Sequence, residues 1–218
     1  MIIRNKKDKI IFEGNNLRGA DLRDVDCWHA DFQKANCEDA DFQKANCWNA
    51  DFKEANCGYA DFKEANCGYA NFKEANCKDV NFQGSDCWGA NFKEAICRNA
   101  DFQKAICTNA NFQGSVCRNV NFQEANCEDA NFEKADLRGV NFHKTNLLYA
   151  NLKDIITDTP ILQINGSQDQ FIKWKDQIQI GCIIEQKDWW LENYKKIMRK
   201  HNYTLEQIKE YYEYITGY

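Results

Sequence analysis

The chain is short of the features that would mark an enzyme, a membrane protein or a secreted scaffold. Proline is nearly absent, with one residue, Pro160, in 218. No apolar run comes near the roughly 18 residues that a membrane-spanning helix needs, so a transmembrane segment is not expected. The start, Met1 to Lys9, carries Arg4, Lys6, Lys7 and Lys9, but no apolar stretch follows it. It does not read as a secretory signal, and the expected compartment is the cytoplasm. The three histidines, His29, His143 and His201, fall on unrelated segments. No nucleophile, base and orienting group can be assembled around them. A glycine-rich phosphate loop is also missing. Cysteine is abundant at 12 residues, yet no Cys-x-x-Cys pair of the kind zinc sites use occurs. The expectation is therefore no enzyme, no cofactor and no metal.

What the chain does have is a period. Hydrophobic residues at 44%, charged residues at 28% and a net charge of −5 describe an ordinary soluble surface over an adequate core. From Ile10 to Asp154 the 145 residues read in fives, as in Ala20-Asp-Leu-Arg-Asp, Ala30-Asp-Phe-Gln-Lys and Ala150-Asn-Leu-Lys-Asp. The first position is small, the second is Asp or Asn, the third is Phe, Leu or Cys, and the last two are polar and variable. A period of five fits neither the 3.6 of a helix nor the 2 of a simple strand. Repeats of this kind decide an architecture before any local propensity does.

The pattern resembles that of the pentapeptide-repeat family, whose motif centres on a large apolar residue two places after an alanine. The likeness covers about two-thirds of the chain without an insertion. It implies an all-β solenoid, a right-handed four-sided β-helix in which each unit makes one side and four units make a coil. At strand spacing, about seven coils would stack into a rod roughly 35 Å long. The third residue would point inward, the small first residue would lie near the corner, and stability would come from neighbouring coils. The expected organisation is an N-terminal lead-in over 1–9, the β-helix over 10–154, and a C-terminal cap over 155–218.

A second period lies over the first. From Cys27 to Cys127 the central residue alternates between Cys and Phe, which places Phe on two opposite sides and Cys on the other two. Rings such as Phe32, Phe52 and Phe72 would face Phe42, Phe62 and Phe82 across the interior. Eleven of the cysteines occupy these inward positions, and Cys182 is the exception. Neighbours such as Cys47 and Cys67 would lie within disulfide Cα range, but in-register parallel side chains cannot easily reach the required dihedral. They read as small hydrophobes filling a core.

Because side assignment repeats every 20 residues, surface columns can also be read. One runs Arg18, Glu38, Gly58, Lys78, Arg98, Arg118, Arg138, ending in four basic residues. Beside it the usual Asn or Asp is replaced by Ile96 and Val116. On the opposite side lie Trp28, Trp48 and Trp88, with Tyr69 next to Gly68. Trp28, Trp48, Tyr69, Trp88, Ile96, Arg98, Val116 and Arg118 are the candidate surface residues, and packing on neighbouring side chains is the simpler reading of the aromatics. Asp and Asn columns such as Asp21, Asp41, Asp61, Asn81 are expected to bond turns and neighbouring amides.

The family resemblance also implies an alternative role, since some members, including quinolone-resistance proteins, resemble a DNA duplex and bind DNA gyrase. Residues 10–154 hold 23 acidic and 16 basic side chains. A duplex of the same length carries about 20 negative charges, so the match in charge is sparse. The first expectation is accordingly a non-catalytic binding or scaffold rod with a protein partner. A DNA-mimicking modulator of a topoisomerase is the alternative, and direct nucleic-acid binding is not expected.

After Asp154 the five-residue register is lost. Ile161–Asn165, Phe171–Lys175 and Gln177–Ile184 read as strands, with Asn165-Gly-Ser as a turn. Two helices are predicted, about Lys187–His201 and Thr204–Thr216, the second opened by a Thr204/Gln207 capping box. Trp190, Tyr194 and Ile197 would share one buried face, and Ile208, Tyr211, Tyr212 and Ile215 another. The segment Gln179-Ile-Gly-Cys-Ile-Ile resembles the end region of other repeat proteins of uncharacterised function. A stacked β-helix needs its end covered, so this segment reads as a small α/β cap, with a homodimer contact as a further expectation.

Overall fold

Most backbone N–H groups of the repeat are placed by one rule, and that rule explains the five-residue pattern. In the computed structural model, which describes residues 2–4, 10–14, 16–158, 161–165, 170–174, 177–180 and 183–216, the unit Ala50–Glu54 serves as the example. Ala50 donates to Cys47 O at 3.0 Å, closing a turn. Asp51 donates to Ala30 O in the preceding coil, and Phe52 and Glu54 donate to Asn71 O and Lys73 O in the next. Only the Lys53 amide is left, and the Asp51 side chain takes it, with Oδ1 accepting at 3.0 Å. Asp or Asn recurs at the second position because it accepts from the one amide that the backbone leaves over.

The turn also sets the fifth position. From Gly19 to Asp154 every fifth residue has a positive φ, between 54° and 70°. Together with the bond from the first residue to the preceding central carbonyl, this is the geometry of a type II turn. Most of these positions hold Lys, Glu, Asp or Asn rather than glycine. Each such residue costs on the order of 1 kcal/mol in conformation, which the coil-to-coil bonds on either side offset.

Coils stack in parallel with a repeat of four units, from Asn16↔Asn36 to Asp136↔Ile156. Four sides follow, named here by a central residue: the Cys37, Phe42, Cys47 and Phe52 sides. The central residues are buried, and so are the first-position residues from Ala35 to Ala135. Small residues therefore line the interior at the corners, mostly Ala, with Val80, Val120 and Thr145 accommodated at the same position. Phe rings stack along each Phe side, 4.5 Å apart for Phe32 and Phe52, and meet edge-to-face across the interior, 5.7 Å apart for Phe32 and Phe42. The result is a continuous herringbone from Phe32 to Phe142, an arrangement that aromatic quadrupoles favour. The thiols of Cys27 to Cys127 are all buried and free. Burial pushes Cys67 and Cys107 well above the usual thiol range. Ser85 and Ser115 replace the corner alanine and satisfy their hydroxyls by donating to Phe82 O and Phe112 O.

Ahead of the first bridged residue, β1 (Ile2–Arg4) and β2 (Ile10–Glu13) pair antiparallel. The five-residue register extends back through Ile10, but these residues form a hairpin and not a side of a coil. Most of the lead-in over 1–9 lies outside the described residues.

The chain divides into two compact units, Met1–Asp158 and Thr159–Tyr218. In the second, β3 (Ile161–Asn165), β4 (Gln170–Trp174), β5 (Gln177–Ile180) and β6 (Ile183–Gln186) form an antiparallel sheet in that order. The predicted single strand Gln177–Ile184 is two strands, with Ile180 opposite Ile183; a period-2 pattern does not mark where one strand ends and its antiparallel partner begins. Helices α1 (Lys187–Lys200) and α2 (Leu205–Thr216) follow. Trp190 of α1 donates its indole N–H to Ile178 O of β5, joining helix to sheet. The capping box forms: Gln207 N donates to Thr204 Oγ1, and Thr204 N to Gln207 Oε1. Two facing residues differ from expectation. Met198, not Ile197, completes the buried face of α1, and Tyr212 stays exposed beside the buried Ile208, Tyr211 and Ile215. Tyr212 stacks on Tyr194 instead, at the edge of the helix pair. Pro160, Cys182, Lys175 and the Gly166–Ser167 turn lie outside the described residues.

Candidate binding surface

The eight candidate surface residues fall on two opposite sides of the coil stack and not on one patch. Trp28, Trp48, Tyr69 and Trp88 lie on the Cys47 side; Ile96, Arg98, Val116 and Arg118 lie on the Cys37 side.

On the Cys47 side three aromatics form a cluster. Tyr69 meets Trp48 and Trp88 edge-on at 5.2 and 4.6 Å, and the two indoles are 6.2 Å apart and nearly parallel. Glycines one coil further on make this possible: Trp48 lies over Gly68, and Tyr69 over Gly89. Trp28 stands apart against His29, 4.0 Å between centroids, and is 60% exposed. Trp48 is therefore packed into its surroundings, as the simpler reading expects, while Trp28, Tyr69 and Trp88 keep large faces open to solvent.

Ile106, 46% exposed, extends the same side beyond Trp88 and was not among the candidates. Its signal was available, because it breaks the Asn/Asp column as Ile96 and Val116 do. At all three positions the amide two residues on, Arg98, Thr108 or Arg118, has no side-chain acceptor among the described residues.

The charge pattern separates this side from the others. Counting by register, it holds Asp26, Asp86, Glu128 and Asp129 and no lysine or arginine. The other three sides carry cations that are largely paired. Lys53, Lys73 and Lys93 each reach the following glutamate on the Phe52 side. Lys44–Glu64 and Lys104–Glu124 link coils on the Phe42 side.

The basic column of the Cys37 side is mostly used locally. Lys78 donates to Tyr59 Oη and pairs with Asp79. Arg118 and Arg138 both grip Asp136, Arg138 through two bonds of 2.8 and 2.7 Å. Those bonds, Arg138 first, hold the Asp136 carboxyl well below its ordinary range. Val116 and Ile156 flank Asp136 in its column and offer no amide donors, so the guanidinium groups fill that role. Within this column, Arg98 is the one cation that makes no ion pair among the described residues.

The Asn and Asp columns bond turns and coils. Asn46 donates to Asp26 Oδ1, and Asn71 to Asp51 Oδ1. Where Asp stacks on Asp, Gln43 bridges Asp41 and Asp61. No side presents an unbroken run of carboxylates. Among the described residues no cluster of three His, Cys, Asp or Glu side chains is placed to hold a metal ion. No described helix is long and apolar enough to cross a membrane.

The family described as "Pentapeptide repeats" matches the chain in eight copies spread over residues 20–156. No curated protein matches it. Similar solved structures include HetL, a pentapeptide repeat protein involved in heterocyst differentiation regulation from the cyanobacterium Nostoc sp. strain PCC 7120. It is 18% identical over 66% of this chain and 87% of HetL, with a TM-score of 0.45. A trypsin-treated form of QnrB1, a plasmid-mediated fluoroquinolone resistance protein, is 19% identical over 66% of this chain and 77% of its own, with a TM-score of 0.37. Rfr23, a pentapeptide repeat protein from the cyanobacterium Cyanothece 51142, is 22% identical over 66% and 88%, with a TM-score of 0.25.

Proposed function

The chain belongs to the pentapeptide repeat family, and from that premise we propose that it is a non-catalytic, cytoplasmic protein-binding scaffold whose working surface is the Cys47 side. One observation carries this: the side that lacks lysine and arginine is the side that exposes Trp28, Tyr69, Trp88 and Ile106. Enrichment in Trp and Tyr with depletion of Lys is the composition of protein interfaces. Exposed aromatics on a flat β surface also present contact area at little conformational cost. The Cys37 patch is secondary, with Ile96 and the unpaired Arg98 as its open groups. A role for the C-terminal unit as the terminator of the coil stack, and as a homodimer contact, belongs to the same proposal, because an open stack end leaves strand edges unpaired.

Site-specific photocrosslinking tests it. Benzoylphenylalanine at Tyr69 is expected to yield a protein adduct in the native host, and the same probe at Gln103, on the Phe42 side, is not. Adducts from Gln103 alone would move the working surface. The alternative of a DNA-like rod acting on a topoisomerase is not favoured by the interleaved Lys–Glu pairs. A gyrase supercoiling assay checks it: inhibition that survives Trp28→Ala/Trp88→Ala would support the DNA-like reading instead.

A further inference from the structure

The C-terminal unit holds a second surface, unrelated to the repeat. Between α1 and α2 runs a solvent-open groove of about 320 Å³. Its base is apolar: Tyr194 and Tyr212 stack at 5.1 Å, Ile208 lies below them, and Leu205 stands 74% exposed at one end. Its rim is cationic, with Lys195 and Arg199 from α1 and Lys209 from α2, and no carboxylate lines it. All three cations are exposed, and none makes an ion pair among the described residues. Glu192, Glu206 and Glu213 lie within about one helical turn of them in sequence, yet none comes within ion-pair distance.

Local structure accounts for only part of this. Arg199 sits in the last turn of α1, where a cation complements the helix dipole. Lys195 and Lys209 lie in mid-helix and receive no such benefit. Nor does folding explain an exposed Leu205 beside an exposed Tyr212, since Ile208, Tyr211 and Ile215 already make the contacts of α2 with the core. Along α2, Leu205, Ile208, Lys209 and Tyr212 occupy the i, i+3, i+4 and i+7 positions, so they share one face of the helix and form one wall of the groove.

We infer that this groove docks an acidic, leucine-bearing peptide segment of a partner protein, with apolar side chains seated between Leu205 and the Tyr194–Tyr212 pair and carboxylates on Lys195, Arg199 and Lys209. The complementarity is one of charge at the rim and apolar contact at the base. A peptide fits better than a flat membrane surface because the groove between the helices has Tyr194 and Ile208 buried at its base, where single side chains can be seated.

The test uses the full chain and a fluorescein-labelled synthetic peptide of glutamates with interspersed leucines, followed by anisotropy. The wild type is expected to bind it, and Lys195→Glu/Lys209→Glu to weaken binding about tenfold or more at low salt. Leu205→Ser is expected to weaken it several-fold. These residues are exposed, so circular dichroism should be unchanged in the variants, and Gln103→Ala should bind as the wild type does. An all-glutamate peptide that binds equally well would overturn the apolar seat. Equal binding by the charge-reversed variant, or displacement of the peptide by duplex DNA or phosphatidylserine vesicles in preference to unlabelled peptide, would overturn the assignment as a whole.

Discussion

The indole of Trp48 occupies the space that a side chain on Gly68 would need: a β-carbon there would collide with Cε3 and Cζ3 of the ring. Gly68→Ala should therefore lift Trp48 off the coil, at a cost of about 1–3 kcal/mol for the overpacking. Gly58→Ala, whose nearest neighbours would be at 3.4 Å or beyond, should stay within about 0.5 kcal/mol. Chemical denaturation reads the cost. A red shift in tryptophan emission for the first variant alone would report the displaced ring, and an unshifted spectrum would mean that Trp48 does not rest on Gly68.

Ile96 and Ile106 each occupy the slot whose Asn or Asp normally accepts from the amide two residues on, as Asn56 accepts from Gly58. Ile96→Asn should supply the missing acceptor for Arg98 and raise stability by about 0.5–1 kcal/mol. Asn56→Ile should lose a comparable amount. Thermal unfolding of the pair decides whether the isoleucines are kept against stability. A destabilised Ile96→Asn would assign Ile96 a packing role.

Phe72 stacks on Phe52 and Phe92 at 4.7 and 4.9 Å and meets Phe62 and Phe82 edge-on. Phe72→Ala should cost about 3–5 kcal/mol, because both neighbouring coils hold the cavity open. Gln103→Ala, on the outer surface, should cost no more than about 0.5 kcal/mol. Equal losses at the two sites in urea titrations would contradict the inward register.

The repeat thiols from Cys27 to Cys127 are buried with no disulfide among them. A thiol reagent should modify them slowly in the native protein and rapidly in denaturant, since a buried thiol in an apolar interior rarely ionises. Mass spectrometry after a short native pulse reads the result. Rapid labelling at most of these sites would mean that the coils open readily.

Asp136 supplies the pH dependence. The guanidinium groups of Arg138 and then Arg118 depress its carboxyl below the ordinary value of 3.8. A depressed folded pKa adds stability that is complete above the unfolded value and is lost as pH falls towards the folded one. Stability from this site should hold from neutral pH to about 4 and decline below it. Asp136→Asn should flatten that decline and cost about 1–2 kcal/mol at neutral pH, the scale of hydrogen bonds to a charged group. Urea midpoints measured down the pH range compare the two. An unchanged acid limb would show that Asp136 and its arginines are not coupled to folding.

In a solenoid a residue meets mainly the residues one coil away, so a period of five with four sides determines most of the geometry. The inward Phe and Cys, the columns of Asp and Asn, the aromatic Cys47 side and the capping box of α2 were all legible in the sequence by itself. Only the tertiary structure decided the details that depend on which way a side chain leans or a chain turns back. It placed Trp48 over Gly68 and Tyr69 over Gly89, although glycine 20 residues after an aromatic was visible as a pattern. It brought Arg118 and Arg138 together on Asp136, divided Gln177–Ile184 into two strands, and turned Tyr212 out to stack on Tyr194. These outcomes rest on rotamer choice and antiparallel partners, which composition and period do not encode.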